Sequence, residues 1–323
     1  MNQKNEVLCS IIIRCYNEEK HIGKLFAGIS QQTIKNIELI LVDSGSTDST
    51  LNIASKYQTN LVYISPEEFS FGRALNYGCK AAKGKYLVFI SAHCWPIYDD
   101  WLEHLLEPFQ DEKVGLVYGK QRGNEQTKFS EEQIFISWFP ENSDYDQTHP
   151  FCNNANCTIR KELWNKIPYD EDLTGLEDLD WAQKAITEHK YKIVYSSSAP
   201  IIHVHEETTK SILNRYRREA IALKHIFPKE RFTIFDFIKL TSINILTDIS
   251  KLSINRKMFR NITDIFSFRI MQFWGGTYIG FKTGDQISSS LKRTFYYPNH
   301  VKKEKKYSME KPAKQPIDYQ KFQ

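Results

Sequence analysis

The chain has 323 residues, of which 41% are hydrophobic and 25% charged, as in an ordinary globular protein with a sizeable core. Its formal net charge of +4 is too small for this length to indicate a nucleic-acid partner, and no stretch reaches the roughly 18 uncharged residues of a membrane span. The six cysteines lack the spacing of a zinc site or of a disulfide scaffold, and the first apolar run is too short for a signal peptide. Together these features favour a reduced, cytosolic protein.

From the amino terminus, apolar runs alternate with amphipathic segments. Strands are predicted at 8–15, 37–43, 61–64 and 86–91. A helix is predicted after each of the first three, with Asn17 as the cap of the first and 72–83 as the third. Strands and helices in strict alternation predict a doubly wound, mostly parallel α/β sheet, whose ligands bind at the carboxyl ends of the strands.

The second predicted strand ends on Asp43 and runs directly into a turn that begins with Ser44 and Gly45. A carboxylate at the end of a buried strand, followed by hydroxyl and backbone N–H donors, suits the base and ribose of a nucleotide. A simple turn-capping or helix-capping aspartate is the alternative. This segment therefore predicts a nucleotide-sugar site.

Farther along the chain, carboxylates crowd the start of a predicted helix. Glu177, Asp178 and Asp180 precede or flank Trp181, the first residue of the apolar face of this helix. Capping and the helix dipole account for one carboxylate at such a position and hardly for three. The segment is therefore a candidate for acid–base chemistry.

The middle and the end of the chain have a different character. Residues 131–150 are polar and aromatic without clear periodicity, which predicts a loop. Residues 208–300 show helical periodicity interrupted by charges, which predicts amphipathic helices that pack on the core, on a second subunit or on an anionic membrane surface. Residues 301–323 are rich in lysine and predict a disordered tail. We expect a catalytic domain at 1–207 and a helical region at 208–300.

Five segments carry a family resemblance. In chain order they read SIIIRCYNEEKHIGKLF, ELILVDSGSTDST, GRALNYGCKAAKGKYLVFISAHCWP, GLEDLDWAQKA and HVH. They resemble the nucleotide-binding half of the family 2 inverting glycosyltransferases, and the rhamnosyltransferase-like members in particular. The resemblance implies a GT-A fold, a nucleotide-sugar donor, and transfer to a glycan or lipid-linked acceptor in bacterial surface polysaccharide synthesis.

By this resemblance, the nucleotide is contacted by residues at the ends of the predicted strands and at the start of the third helix. They are Arg14, Tyr16, Glu18, Asp43, Ser44, Gly45, Arg73, Ser91 and His93. Arg73 matches a residue that reaches the base or the phosphates, with an ordinary solvated helix residue as the alternative.

The sequence departs from the family where Ser91, Ala92 and His93 replace the Asp-x-Asp that usually holds Mn²⁺ or Mg²⁺. Serine and imidazole are poorer ligands for these ions than carboxylates. Three explanations stay open: His93 ligates a metal together with His203 or His205, it contacts phosphate in place of a metal, or the donor is a nucleoside monophosphate sugar. Because a monophosphate needs less neutralisation as it leaves, we expect a metal-free or weakly metal-dependent site.

The resemblance assigns the catalytic base to Asp178, with Glu177 beside it as the alternative. An inverting transferase needs a base that takes the proton of the acceptor hydroxyl as its oxygen attacks. Because a helix amino terminus favours an ionised carboxylate, we expect Asp178 to be ionised at neutral pH.

Further positions are assigned with ordinary structural roles as their alternatives. His203 and His205 lie two residues apart on an extended segment, so both can reach phosphate or metal. Fixed positive charge can come from the cluster of Arg215, Tyr216, Arg217 and Arg218. Asn153 and Asn154 match the acceptor side of the family and are candidate partners for sugar hydroxyls.

The sequence thus predicts an inverting glycosyltransferase that acts in the cytosol, at the inner face of the cell membrane. A nucleotidyltransferase is one alternative, but a glycine-rich phosphate loop is missing after the first strand. A catalytically inactive nucleotide- or glycan-binding module is the other, and the retained Glu177 and Asp178 argue against it.

Overall fold

The computed structural model of the chain describes residues 7–252, 258–284 and 289–296. The strands are β1 (Cys9–Cys15), β2 (Ile37–Asp43), β3 (Thr59–Tyr63), β4 (Tyr86–Ser91), β5 (Cys94–Pro96), β6 (Val114–Arg122), β7 (Asp144–Gln147), β8 (Asn156–Arg160) and β9 (Lys192–His203).

The helices alternate with these strands and then follow them. They are α1 (Ile22–Ser30), α2 (Thr50–Ala54), α3 (Phe71–Ala81), α4 (Trp101–Leu106), α5 (Phe129–Trp138), α6 (Lys161–Lys166), α7 (Glu177–Thr187), α8 (Thr209–Ile226), α9 (Ile234–Ser250), α10 (Met258–Ile270), α11 (Ile279–Lys282) and α12 (Ser289–Tyr296). A 3₁₀ turn (Glu107–Gln110) follows α4, and a π-helix (Met271–Tyr278) joins α10 to α11.

All the strands belong to one mixed sheet, in the order β3-β2-β1-β4-β8-β6-β9-β5, with β7 paired to β9. The first half is parallel, as predicted, and β6 and β9 run in the same direction. The antiparallel strands β8, β5 and β7 enter only in the second half. The prediction of a doubly wound, mostly parallel α/β sheet is confirmed.

The register of the parallel half explains why polar groups meet at one edge. Arg14 pairs with Ser91, and Cys15 pairs with Asp43, so three strands reach their carboxyl ends side by side. Apolar side chains fill both faces, because Ile12 lies in one buried cluster while Ile11 and Ile13 lie in the other. The near-continuous apolar pattern of β1 follows from this burial on two faces.

Two local predictions are wrong. Asn17 does not cap α1: its backbone has φ +56°, and its side-chain oxygen accepts a hydrogen bond from the Thr47 amide at 2.8 Å. The segment 131–150 is not a plain loop, because it contains most of α5 and all of β7. Helix α5 buries Ser130, Glu131 and Phe135 together, so polar residues share its buried surface and the sequence shows no apolar stripe.

The helical region docks on the sheet domain through α5. Asp248 on α9 accepts hydrogen bonds from Ser130 of α5 at 2.7 Å and from the Arg269 guanidinium of α10 at 2.8 Å, and all three side chains are buried. In the described part of the chain, no helix combines the length and the apolar character needed to cross a membrane. The predicted tail at 301–323 lies outside the described residues, and the division at residue 207 stays a prediction.

Candidate functional site

A cavity of about 450 Å³ opens at the carboxyl edge of the parallel strands, and we call it the edge cavity. Most of the residues predicted for the site line it. They are Arg14, Tyr16, Glu18, Ser44, Ser91, His93, Asn153, Asn154, Glu177, Asp178, His203, His205 and Arg215. Asp43, Gly45 and Arg73 do not line its wall. The structure thus brings together the acid at 178 and the histidine at 93, while the loop after β2 contributes through Ser44.

Asp43 is buried, and its carboxylate organises the turn that follows it. The amides of Gly45 and Ser46 donate to it at 3.0 and 3.1 Å, and the Cys15 thiol donates at 3.5 Å. Gly45 has φ +94°, a conformation in which a side chain is strained. Asp43 therefore shapes the loop that presents Ser44 to the edge cavity.

Arg73 lies on α3 outside the edge cavity. Its Nε donates to Glu171 at 2.7 Å and its Nη1 donates to the Glu68 carbonyl oxygen at 2.7 Å. Both contacts hold the guanidinium against neighbouring loops. A contact between Arg73 and a nucleotide stays a prediction, and it requires this ion pair to open.

Asp178 stands at the amino terminus of α7. The amides of Asn154 and Leu179 donate to its carboxylate at 3.0 and 2.8 Å. Burial and the charge of Glu177 nevertheless raise the pKa of Asp178 to about 7. The expectation of a carboxylate readily ionised by the helix terminus is wrong, because desolvation outweighs the two backbone hydrogen bonds. An acid with this pKa exchanges protons near neutral pH, as a general base must.

The turn before α7 is strained. Leu176 has φ +56° although it carries a branched side chain, a conformation that is costly for such residues. It directly precedes Glu177, which is buried and forms an ion pair with Arg14 at 3.2 Å. This turn positions the carboxylates of Glu177 and Asp178 in the wall of the edge cavity.

Positive charge in the edge cavity comes from two arginines stacked on one aromatic ring. The Arg14 and Arg218 guanidinium carbons lie 4.7 and 4.5 Å from the centre of the Phe71 ring. Arg14 is neutralised by Glu177, but Arg218 forms no ion pair with any residue that the structure describes, and its buried Nε has no hydrogen-bond partner. Arg218 is therefore a half-buried cation: its Nη1 donates to the Phe295 carbonyl oxygen at 3.5 Å, and its Nε–H is available to an anionic ligand.

Three histidine rings cluster beside these groups. The centre of the His203 ring lies 5.1 Å from that of His93 and 4.1 Å from that of His205. The pairing of β5 with β9 makes this possible, because it sets Cys94 opposite His203. His93 directly precedes β5, so the strand pairing joins two distant parts of the chain.

The surroundings of His93 and of His203 shift the pKa values of these two rings in opposite directions. Burial would lower the pKa of His93, but the charge of Glu18 and its hydrogen bond at 2.8 Å raise it. Burial and the neighbouring positive groups hold the pKa of His203 well below its usual value. For Glu131, which bonds His205 at 2.7 Å, burial is outweighed by His205 and Arg215, and its pKa falls to about 2.

The donor set does not fit the metal that the family resemblance implies. Mg²⁺ and Mn²⁺ are held mainly by carboxylate oxygens, whereas the positions of the Asp-x-Asp motif supply Ser91 and the His93 imidazole. Two carboxylates near His205, Glu131 and Glu207, are bound to the Arg215 guanidinium at 3.0 and 2.6 Å. They already hold a cation, and Arg215 is correspondingly less free for phosphate than its position in the sequence suggests.

A second cavity of about 520 Å³, which we call the side cavity, lies between α5, α8 and the π-helix. Its wall includes the aromatic side chains of Trp138, Phe139, Phe151 and Tyr216. The two cavities share a set of polar residues, namely Asn153, Asp178, His203, His205, Arg215 and Glu219. The carboxylate of Asp178 thus stands at the boundary between two spaces of comparable size.

Several residues of the site are not predicted from the sequence. Gln121 and Glu131 orient His203 and His205 from β6 and α5, and Phe71 carries the two arginines. None has a local motif, because each is defined only by what packs against it. Arg218 has one signal, its place in a run of basic residues at 215–218, but that run does not show which side chain faces the cavity.

Comparison with known proteins identifies the family of the chain. The family model described as glycosyl transferase family 2 matches residues 10–167. An uncharacterized glycosyltransferase of Rickettsia typhi is 31% identical over 225 residues, which are 64% of this chain and 68% of that protein. The O-antigen chain rhamnosyltransferase WbaN of Salmonella anatum is 27% identical over 220 residues, which are 64% of this chain and 69% of that protein.

The fold is similar to that of a solved glycosyltransferase. The mannosyltransferase PcManGT from Pyrobaculum calidifontis, solved in complex with GDP-Man and Mn²⁺, aligns with a TM-score of 0.57 at 16% identity. The alignment covers 82% of this chain and 87% of that one, which shows a shared GT-A fold. The family model, the sequence similarity and the fold agree, and the chain belongs to glycosyltransferase family 2.

Proposed function

We propose that this enzyme is an inverting glycosyltransferase that moves a sugar from a nucleotide-activated donor to a hydroxyl group of a glycan or lipid-linked glycan in bacterial surface polysaccharide synthesis. The observation that carries the proposal is the position of Asp178, an acid with a pKa raised to about 7, at the boundary of the two cavities. A base between donor and acceptor is the arrangement that single displacement requires.

The edge cavity suits the donor. Tyr16 and Ser44 offer an aromatic face and a hydroxyl at the end where the parallel strands stop, as a nucleoside requires. Arg218, a half-buried cation, lines the same cavity, and it can stabilise the negative charge that develops on the departing phosphate. Asp178 lines this cavity too, so the bond between sugar and phosphate would break within reach of both residues.

The side cavity suits the acceptor. Aromatic faces such as those of Trp138 and Phe151 pack against sugar rings, and Asn153 supplies amide groups for hydroxyls. In the reaction the acceptor O–H proton passes to Asp178 while the oxygen attacks the anomeric carbon. The bond from that carbon to the nucleotide oxygen breaks on the opposite face, and the nucleotide leaves with the bonding electron pair.

Two further parts of the proposal concern metal and location. Since Ser91 and His93 offer no carboxylate, we expect transfer to proceed without added Mg²⁺ or Mn²⁺. We place the enzyme in the cytosol, in line with six buried cysteines that form no disulfide. We also place it at the inner face of the membrane, where a lipid-linked acceptor would lie.

The test is the release of nucleotide and the transfer of sugar by Asp178→Asn. We expect the variant to lose transfer by a factor of about 10² to 10⁴, the usual contribution of a general base, while binding of nucleotide is kept. The matched control is Asp180→Asn, which makes the same chemical change on the same helix at a residue paired with Lys184 outside both cavities. It should leave transfer within a factor of about two of wild type.

Other outcomes would redirect or end the proposal. Full activity in Asp178→Asn together with its loss in Glu177→Gln would move the base to Glu177. A wild-type protein that binds nucleotides but releases none from any nucleotide sugar would be an inactive binding module. A product that keeps the anomeric configuration of the donor would exclude inversion.

A further inference from the structure

The three clustered histidines share a hydrogen-bonding pattern. The Nδ1 atom of each ring is bonded to a side-chain oxygen: His93 to Glu18 at 2.8 Å, His203 to Gln121 at 2.7 Å, and His205 to Glu131 at 2.7 Å. In each neutral ring, Nδ1 then carries the proton and Nε2 keeps its lone pair. In proteins, histidines that bind metals through one nitrogen almost always donate from the other in this way.

The second nitrogen of His203 has no partner in the described part of the structure. This ring is only 5% exposed, and its Nε2 atom is buried without a hydrogen bond. A buried nitrogen lone pair without a donor costs free energy, so such atoms are rare unless a ligand takes the position. The atom therefore points to a missing ligand.

The spacing of the rings fits one ion. One ligand nitrogen from each of His93, His203 and His205 can be chosen so that all three lie within 4.8 Å of one another. Around a tetrahedral zinc ion with Zn–N bonds of about 2.0 to 2.1 Å, the nitrogens stand about 3.3 Å apart. The separation of the ligand atoms is thus compatible with a shared ion, and the side chains of Glu18, Gln121 and Glu131 hold the three rings in place.

The charges around the cluster also suit a divalent cation. When His93 and His205 are neutral, as metal ligands must be, the carboxylates of Glu18, Glu131 and Glu207 exceed the guanidinium of Arg215 by two negative charges in a partly buried site. Unbalanced charge of this kind is costly in a protein interior, and a divalent ion would neutralise it.

We propose that His93, His203 and His205 bind one divalent transition metal ion of the zinc type, with Gln121, Glu18 and Glu131 orienting the ligands. Imidazole nitrogens suit such ions, whereas Mg²⁺ and Mn²⁺ prefer oxygen. Three protein ligands leave a fourth position, and this position faces the edge cavity that all three rings line. The site thus stands where the family resemblance places a carboxylate-held metal, but with a different ligand chemistry.

The ligand for the fourth position rests on the proposed function. A phosphate oxygen of the donor would reach the cluster from the edge cavity, which Arg218 also lines. The metal site itself does not depend on this assignment, because its ligands and its charge balance are properties of the chain alone.

The test measures metal binding by the full chain, stripped with a chelator and then dialysed. Calorimetric titration with Zn²⁺, and visible absorption after addition of Co²⁺, should each show one ion bound per chain. Zn²⁺ should also raise the Tm of the stripped protein, and Mg²⁺ and Mn²⁺ at the same concentration should not. His203→Ala and His205→Ala should lose these responses, while Gln121→Leu should weaken zinc binding by about 10- to 100-fold.

The control is His104→Ala, which removes a half-exposed histidine on α4 that bonds only to carboxylates of its own segment. It should bind zinc as wild type does. The proposal is overturned if the stripped wild type binds neither Zn²⁺ nor Co²⁺, or if His205→Ala binds them as tightly as wild type does. It is also overturned if inorganic phosphate or a nucleotide raises the Tm but zinc has no effect, because the cluster then serves as a plain anion site.

The result is separable from that of the transfer assay. Asp178→Asn should keep normal zinc binding, since Asp178 is not a ligand. Loss of transfer with no zinc binding in any protein would leave the proposed function standing and remove the metal. Zinc binding without any donor turnover would support the metal site and remove the proposed function.

Discussion

At the scale of single residues, Asp43 and Asp178 show how the same type of side chain can have two different roles in one fold. Asp43 accepts hydrogen bonds from two amides and a thiol and is closed off inside its turn. Asp178 also accepts from two amides, but it stands beside the carboxylate of Glu177 and faces two cavities. Its ionised form is therefore disfavoured, and its proton is exchanged near neutral pH.

This difference predicts the pH dependence of transfer. The base must be ionised, and burial together with Glu177 raises the pKa of Asp178 to about 7. The rate at saturating substrate should therefore rise with pH, bend near pH 7 and stay level above it. Replacing Glu177 by Gln removes one of the raising charges, so the bend should move to lower pH, by up to about one unit. Initial rates from about pH 5 to pH 9 measure both curves.

The direction in which the bend of the pH profile moves in Glu177→Gln tests this prediction. A bend that stays in place or moves to higher pH in Glu177→Gln would show that Asp178 does not set the profile. Asp180→Asn serves again as the matched change, because Asp180 is not among the groups that shift the pKa of Asp178.

At the scale of elements, the site depends on how closely α8 approaches the π-helix. Gly276 lies against α8 so tightly that an added Cβ would come within 2.2 Å of the Cβ of Tyr216. Gly275 makes a similar approach to Leu213, and Gly280 to Ala220. These glycines on the π-helix and on α11 let α8 pack closely against both helices. This packing places Arg215 beside Glu131 and Arg218 beside Phe71.

Gly276→Ala should therefore destabilise the protein although alanine favours helices. We expect a loss of about 1 to 3 kcal/mol in the free energy of unfolding, the usual cost of overpacking, because Tyr216 and its backbone must shift. Equilibrium unfolding in urea measures this loss, and the rate of transfer should fall with it as α8 moves. Gly284→Ala is the matched control, since no atom lies within 4 Å of its added Cβ, and its effect should stay below about 0.5 kcal/mol. A Gly276→Ala protein as stable as wild type would contradict this account of the packing.

At the scale of the whole molecule, α9 presents apolar side chains away from the sheet domain. Phe235 and Leu246 are 78% and 67% exposed, and Ile238 and Ile243 are also exposed, while Asp248 ties the same helix to α5 and α10. Apolar groups in such a row cost free energy in water, and rows of this kind mark surfaces that bind membranes or proteins. A membrane face fits the proposed lipid-linked acceptor.

The double change Phe235→Glu with Leu246→Glu should therefore weaken binding to vesicles that contain anionic lipid. Each buried apolar side chain contributes about 1.5 to 3 kcal/mol, so the partition coefficient should fall at least about tenfold in sedimentation assays. Tyr98→Glu, at an exposed aromatic residue between β5 and α4, should bind vesicles as wild type does. If the double variant instead turns a dimer into a monomer in light scattering and vesicle binding is unchanged, the face is a subunit interface.

Much of the parallel half could be predicted because its signals are local. The predicted bounds of β2 and β4 agree with the structure, since each is a short apolar run that ends on a polar residue. The sequence also predicts the start of α7, with the carboxylates of Glu177 and Asp178. Helix α5 was not, because its buried surface includes Glu131, and a buried carboxylate looks like a solvent-exposed one until its partners are known.

The sequence by itself determined the order of strands and helices and the residue types that meet at one sheet edge. Apolar periodicity and the ends of strands depend on residues that are close together in the chain. Only the tertiary structure decided that Asp178 has a pKa near 7, that Arg218 faces the edge cavity, and that His93 meets His203 and His205. These properties arise from burial and from charges contributed by distant segments. Desolvation and Coulomb energy depend on distances in space, and separation along the chain does not reveal them.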